Sequence, residues 1–229
     1  MKKRLTGICE NGILAVNEGA VFQEPYIPYI PDKWNGVLVL AEAQNLAKSN
    51  DDYVAILKAM NRKQKIERLY YAVKTENRAM IQPWDDGSLK LAIESALKVK
   101  ACYTAVSNAV LWSQRSNTAN INPSKFLMDR SARIWKEFLL ILRPKIVITA
   151  GKKAEYVIKK SCWSGQHIKL RLPAKTAMSR VSGMFQTKDL LKRYPEVNRV
   201  VIENPTWVKE YKQNKIFFAC HAVSIINEI

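Results

Sequence analysis

The sequence predicts an α/β protein with three layers, in which helices cover both faces of a mainly parallel central sheet. Short apolar runs that suit strands buried on both faces alternate with longer amphipathic segments. This alternation is typical of parallel strands joined by right-handed crossovers. A chain of 229 residues, 48% of them hydrophobic, is long enough to bury one sizeable core. We therefore predict a single domain over residues 1–229, with an extended N-terminal segment, residues 1–35, packed on it.

The first strand and the segment before it give the first indication of a site. Three prolines within residues 25–31 predict an extended chain that runs along the surface. The apolar run Val37–Leu40 then predicts a buried strand that ends in small and polar residues. Because ligands of open α/β sheets bind beyond the carboxyl ends of the strands, Glu42, Gln44 and Asn45 are expected to face a crevice. The other interpretation is an ordinary strand-to-helix turn in which Asn45 or Ser49 caps the helix.

Later segments continue the pattern and add two polar candidates. Apolar spacing predicts further strands over Ala101–Val110, Arg143–Gly151 and a run from Asn214 into His221, and helices over Asp52–Met60, Leu89–Lys98, Pro123–Leu142 and Lys152–Lys160. Asn108 falls inside the second strand. A buried amide there either bonds to backbone or reads the Watson–Crick edge of a flipped base with its donor and acceptor. His221 after the last strand is either structural or catalytic.

The net charge predicts a polyanionic partner. The 37 Lys and Arg residues outnumber the 20 Asp and Glu residues, which gives a formal charge of +17. Nucleic acid is the expected partner, since basic faces release counterions from phosphates; solubility alone is the other interpretation. No basic amphipathic helix or lipidation signal points to a membrane. The residues expected to bind DNA through phosphates are Arg115, Lys175, Arg180 and Lys188.

Cysteine and glycine patterns argue against a cofactor. The four cysteines lie far apart, without a Cys-x-x-Cys pair, and the chain has two histidines, so no metal site is predicted; the other interpretation is a four-cysteine cluster assembled in space. No glycine-rich phosphate loop supports a nucleotide cofactor. The sequence has neither a signal peptide nor a run long enough to span a bilayer. We therefore expect a cytoplasmic monomer with reduced thiols.

Four segments in order resemble the uracil-DNA glycosylase superfamily. They are Ala41–Asn45 beside the family's first motif, Asn108 followed by a polar loop, Leu142–Ala154, and Cys220–Ser224 where the family carries His-Pro-Ser. The first motif lacks its proline and terminal glycine, Ala43 stands where some branches have a catalytic Asp, and Ala222 stands for the proline. The paired cysteines of the iron–sulfur branches are absent. The resemblance is therefore to a divergent branch.

The resemblance implies a monofunctional DNA glycosylase that flips a non-canonical pyrimidine out of single- or double-stranded DNA. The base is uracil or a modified cytosine, including the hypermodified cytosines of phage DNA, which implies anti-phage defence. Glu42 would orient water, and His221 would donate to the leaving base. The base pocket would contain Ala43, Gln44, Asn45, Tyr53 and Asn108, and Ser224 would contact DNA. The alternative is a catalytically inactive DNA- or RNA-binding module on the same fold.

Overall fold

The computed structural model describes residues 1–16, 18–46, 51–76, 88–115, 122–171, 187–203 and 213–228. In this part of the chain the strands are β1 (Val37–Asn45), β2 (Ala105–Gln114), β3 (Ile146–Ala150) and β4 (Gln166–Leu170). The helices are α1 (Lys2–Asn11), α2 (Asp51–Ala59), α3 (Arg62–Ile66), α4 (Arg68–Glu76), α5 (Ser88–Leu97), α6 (Lys125–Leu142), α7 (Lys152–Lys160), α8 (Thr187–Arg193), α9 (Pro195–Glu203) and α10 (Gln213–Asn227). A 3-10 turn, Ala101–Tyr103, precedes β2.

The central sheet is parallel and has the strand order β2-β1-β3-β4. In the β1 and β2 ladder Leu38 lies opposite Ala105, and in the β1 and β3 ladder it lies opposite Val147. The apolar half of β1 is therefore covered on both edges, and its residues Val37–Leu40 are buried. The predicted α/β/α class with a mainly parallel sheet is confirmed.

Two of the predicted strands have different bounds in the structure. β1 continues through the polar residues to Asn45, which pairs with Gln114 across a bulge. β2 starts four residues later than predicted, after the 3-10 turn, and runs to Gln114 with every residue buried. Ladder hydrogen bonds keep both polar ends extended, so the abrupt strand end expected after Leu40 is wrong.

The N-terminal segment differs from the predicted surface strand in two ways. Residues 2–11 form α1, which buries Leu5 and Cys9 on one face. Further on, Ala20 and Tyr29 form antiparallel bridges to Gln114 and Val106, so the extended part lies along the outer edge of β2. An unpaired edge strand exposes a row of backbone donors and acceptors, and this segment satisfies them. The segment is therefore part of the core rather than a surface strap.

Helices α6 and α7 pack against the sheet. Ser124 caps α6 by accepting a hydrogen bond from the Leu127 amide, and Arg143 ends it in a left-handed conformation. The indole of the buried Trp135 donates to the Ala109 carbonyl of β2 at 2.8 Å. A capping residue thus marks each end of the helix, and the hydrogen bond from the Trp135 indole holds its buried face against the sheet.

The chain divides into two compact units. The first comprises Met1–Ile30, Gly36–Asn77 and Ala105–Lys169, and the second Pro31–Asn35, Arg78–Thr104 and Leu170–Ile229. Within the second unit α10 packs against α5, α8 and α9. None of the described helices is long and apolar enough to cross a membrane.

The C-terminal strand predicted to run into His221 is wrong, because Gln213–Asn227 is the helix α10. Its buried residues include Phe217, Phe218 and Ala219, followed one turn later by Ala222 and Val223. A short apolar run has no period that separates a buried strand from a buried helix. Here the packing of the helix against its neighbours decides between them.

Candidate active site at the carboxyl end of the sheet

The strand order identifies the edge of the sheet where a site is expected. From β1 the chain goes to β2 on one side and then to β3 on the other, so the direction of winding changes at β1. In doubly wound sheets ligands bind beyond the carboxyl ends of the strands at this point. The residues concerned are the polar half of β1 and the turn between β3 and α7.

Glu42 lies at this switch point and reaches from β1 to the start of α7. Its Oε1 accepts a hydrogen bond from the Lys153 amide at 3.0 Å, and its Oε2 lies 3.6 Å from Lys153 Nζ. The side chain is 16% exposed. A carboxylate is favoured at a helix N-terminus by the unpaired amides and by the helix dipole. The charge of Glu42 is therefore held in place while one edge stays open to solvent.

Gly151 makes this arrangement possible. It is the N-cap of α7, has a φ of +102°, and offers no side chain for capping. A Cβ added at this position would lie 2.5 Å from Glu42 Oε1. Both the backbone conformation and the approach of the carboxylate thus require glycine, and Glu42 supplies the cap that the glycine cannot.

A histidine that sequence reasoning did not select lies on β4 and contacts β3. His167 Nε2 on β4 is 2.8 Å from Thr149 Oγ1 on β3. Burial lowers the pKa of His167, and the nearby Lys169 lowers it further. The imidazole is therefore neutral at pH 7 and can either donate or accept a proton in a hydrogen bond. It lies near the start of a stretch that the sequence predicted to be irregular and basic from Gly165 onward, so no strand pattern pointed to it.

Asn108 occupies the second strand as predicted and is buried. It lies opposite Ala41 in the ladder, so its side chain leaves the sheet on the face opposite to that of Glu42. Its Nδ2 donates to the hydroxyl of Tyr26 at 2.8 Å, and no described residue hydrogen-bonds its Oδ1. Asn108 and Glu42 are thus held by different parts of the first unit.

A buried polar network surrounds Asn108. The Arg68 guanidinium lies 3.8 Å from the centre of the Tyr26 ring and donates to Ser113 Oγ at 2.7 Å. Ser113 in turn donates to Gln44 Oε1. Two residues predicted for the base pocket, Gln44 and Asn108, are therefore connected through Arg68, Ser113 and Tyr26, none of which the sequence pattern indicated.

Arg68 is unusual because it is only 1% exposed and forms no ion pair with a described carboxylate. Its Nη1 donates to the Lys65 carbonyl at 3.0 Å, while its Nε has no partner among the described residues. Burial lowers the pKa of Arg68, and the nearby Tyr26 raises it. Arginine remains protonated even so, and the aromatic face of Tyr26 offsets part of its desolvation.

The remaining predicted residues of the first unit have structural partners. Ala43 lies opposite Val110 in the ladder. Asn45 ends β1, so the alternative in which it caps a helix is wrong, and Ser49, the other candidate cap, lies outside the described residues. Tyr53 packs against a core cluster that includes Leu57. Arg115 pairs with Asp51. Ala43 and Asn45 thus lie on β1 with Glu42, and Tyr53 lies near Arg68.

His221 and Ser224 lie in the middle of α10, in the second unit. His221 Nε2 is buried and has no partner among the described residues. Burial lowers the pKa of His221, and Arg171 lowers it further. Lys188 lies in α8, and Lys175 and Arg180 lie outside the described residues. The His221 imidazole is thus neutral at pH 7, with one nitrogen available.

Comparison of the chain with protein-family models, with curated proteins and with solved structures found no match. All four cysteines are free thiols. Among the described residues no group of histidine, cysteine and carboxylate side chains could hold a metal ion. The case for a function therefore depends on the geometry of the site.

Proposed function

We propose that this protein is a monofunctional DNA glycosylase that hydrolyses the N-glycosidic bond of a flipped, non-canonical pyrimidine. The observation that carries the proposal is Glu42, a largely buried carboxylate fixed at the switch point of a parallel sheet. Cleavage of the bond develops positive charge on the sugar and needs a water on its far face. A fixed carboxylate serves both needs, because it offsets the cation and orients the water.

The chemistry is balanced without a cofactor. The bond from C1′ to the base nitrogen breaks, and the base leaves with the electron pair. The oxygen of a water forms a new bond to C1′, and Glu42 accepts the proton that this water loses. The base takes up a proton, so the products are the free base and an abasic site.

Asn108 leaves the sheet on the face opposite to Glu42, and His221 belongs to the second unit, so we assign the chemistry at C1′ to Glu42 alone. Base contacts by Asn108 and His221 stay predictions of the resemblance. The lowered pKa of His221 favours a neutral imidazole, the form that can donate one N–H to a carbonyl oxygen. Ser224 lies on the same helix as His221, where it would contact the DNA backbone.

The net charge of the chain supports DNA as the polymer that contains the target base. A net charge of +17 favours phosphate binding, and Lys152 and Lys153 begin a helix beside Glu42. The base is uracil or a modified cytosine. Residues 43–45 lack the family's terminal Gly, and a pocket with Gln44 and Asn45 favours a base with polar substituents. Excision of hypermodified cytosine would make the protein a phage-defence enzyme.

Incubation with defined DNA tests the proposal. Oligonucleotides that carry one uracil, one 5-hydroxymethylcytosine or one glucosylated 5-hydroxymethylcytosine, single- and double-stranded, are treated with the protein and then with alkali. We expect strand breaks at one of these bases after alkali and none before it, because a monofunctional enzyme leaves an intact abasic strand. Unbroken strands throughout the panel would contradict the proposal.

A second candidate is a DNA- or RNA-binding module without catalysis. The observation in its favour is that both oxygens of Glu42 have partners within the protein, as a purely structural helix cap would. This candidate expects binding to nucleic acid without any abasic product. The panel therefore separates the two, provided that binding to the same oligonucleotides is measured in parallel.

A further inference from the structure

A cleft in the first unit lies between the start of α1 and helices α3 and α4. Its volume is about 420 Å³, within the range of small-molecule sites. The residues that line it are Lys2, Asn61, Lys63, Gln64, Glu67, Tyr70 and Tyr71. None of them belongs to the switch point of the sheet, so this cleft is separate from the candidate active site.

The aromatic wall of the cleft is rigid on one side and exposed on the other. The Tyr70 hydroxyl accepts from the Ile30 amide at 3.0 Å, and its ring packs against Tyr29 with 5.0 Å between ring centres. The next residue, Tyr71, is 41% exposed. An exposed aromatic ring beside a fixed one is a surface on which a nucleobase can stack.

The charge of the cleft is positive. Lys2 Nζ lies 4.3 Å above the Tyr70 ring and 2.7 Å from Glu67, whose other oxygen accepts from Thr6 Oγ1 at 3.1 Å. Lys2 and Glu67 thus neutralise each other, and the net positive charge of the cleft comes from Lys63. Lys63 adds an exposed ammonium. Lys3, Arg4 and Arg62 are further exposed basic residues on the same two helices.

We propose that this cleft binds single-stranded nucleic acid, with one base stacked on Tyr71 and the adjoining phosphate near Lys63. Sequence-independent binding of single strands combines these two elements, a basic groove for the backbone and aromatic rings for the bases. The proposal concerns binding and does not rest on catalysis at Glu42. It gives the protein a second contact with a strand, outside the candidate active site.

Fluorescence anisotropy with a labelled 15-nucleotide single strand tests the proposal. We expect Tyr71→Ala to raise the Kd about tenfold, and Tyr71→Trp to restore binding, because either aromatic ring can stack. A strand in which base-free spacers replace the nucleotides should bind Tyr71→Ala and the unmodified protein equally. Tyr103→Ala, which removes an equally exposed ring in the second unit, is the control.

Lys63→Ala tests the phosphate contact separately. It should weaken the binding of both the normal strand and the strand with base-free spacers, and reduce the slope of log K against log salt by about 0.7. Lys136→Ala, which removes an exposed lysine of α6, should leave that slope unchanged. A Kd for Tyr71→Ala within twofold of the unmodified protein, or an equal loss with Tyr103→Ala, would overturn the proposal. Glycosylase activity has no part in either measurement, so its absence leaves this test intact.

Discussion

The hydroxyl of Tyr26 decides how the amide of Asn108 is oriented. Both side chains are buried, and Nδ2 of Asn108 donates to Tyr26. Tyr26→Phe keeps the ring beneath Arg68 but leaves the amide without its acceptor. An unsatisfied buried donor costs about 1–3 kcal/mol, so we expect a loss of that size in the free energy of unfolding by urea.

A double-mutant cycle checks that the loss comes from this hydrogen bond. In the background of Asn108→Ala the substitution Tyr26→Phe should cost clearly less, because the donor is already absent. Equal costs in both backgrounds would show that Tyr26 acts through packing alone. The sequence offered no means of finding this pair, because the two residues lie 82 positions apart and meet only where the N-terminal segment pairs with β2.

At the scale of elements, α10 is the sharpest departure from the sequence-based expectation. Ala222 stands where the resembled family has a proline at the end of a strand, but here it is buried in the interior of a helix. A proline in a helix interior costs about 3 kcal/mol or more. We therefore expect Ala222→Pro to lower the free energy of unfolding by at least that amount.

Ala222→Gly is the matched control for this substitution. Glycine in a helix costs about 1 kcal/mol relative to alanine, well below the effect of proline. If urea unfolding shows that Ala222→Pro is no worse than Ala222→Gly, His221 does not lie in a helix. The strand end that the resemblance implies for His221 would then be the better description.

Elements with a clear period were predicted closely, and ambiguous ones were not. Lys152–Lys160 forms a helix with the predicted bounds, and α6 begins only two residues after the predicted Pro123. In contrast, α1 was missed because Gly7 and several charges obscure its buried face, and the apolar run in α10 fits either state. The switch-point location of Glu42 was predictable from one strand, whereas its role as the cap of α7 depends on Gly151, 109 positions away in the chain.

For the whole molecule, buried titratable groups predict a limited pH range of stability. Burial lowers the pKa of His167 and His221 from their usual 6.5, so protons bind more tightly to the unfolded chain. Stability from these groups is present above pH 6.5 and is lost as the pH falls below it. Burial also raises the pKa of Tyr26 and of Cys220 to about 12 each, so their contribution is lost as the pH rises above about 9 to 10.

We therefore expect the midpoint of urea unfolding to be highest between about pH 7 and 9 and to fall on both sides. His167→Asn should flatten the acid side, and Tyr26→Phe should flatten the alkaline side above pH 10. A midpoint that continues to rise below pH 6 would show that neither histidine is held neutral by burial.

The net charge of +17 predicts steep salt dependence of DNA binding. If about six phosphates are neutralised, the slope of log K against log salt for duplex DNA is about −5. Filter binding or anisotropy between 50 and 300 mM salt measures this slope. A slope near zero would mean that the charge serves solubility rather than phosphate contact.

The release of free base by Glu42→Gln in single turnover tests the central proposal most directly. Glutamine retains an oxygen that can accept from the Lys153 amide, but it lacks the charge that offsets the sugar cation. With enzyme in excess over the base that the panel identifies, mass spectrometry follows the liberated base. Glu155→Gln is the control. Glu155 lies on α7, the helix that Glu42 caps, and it pairs with Lys169.

We predict that Glu42→Gln slows base release by about ten- to ten-thousandfold, while DNA binding is unchanged or slightly tighter because a charge that repels phosphate is gone. Glu155→Gln should release base at the rate of the unmodified protein. Base release by Glu42→Gln at the unmodified rate would contradict the account, and so would a loss of DNA affinity as large as the loss of rate.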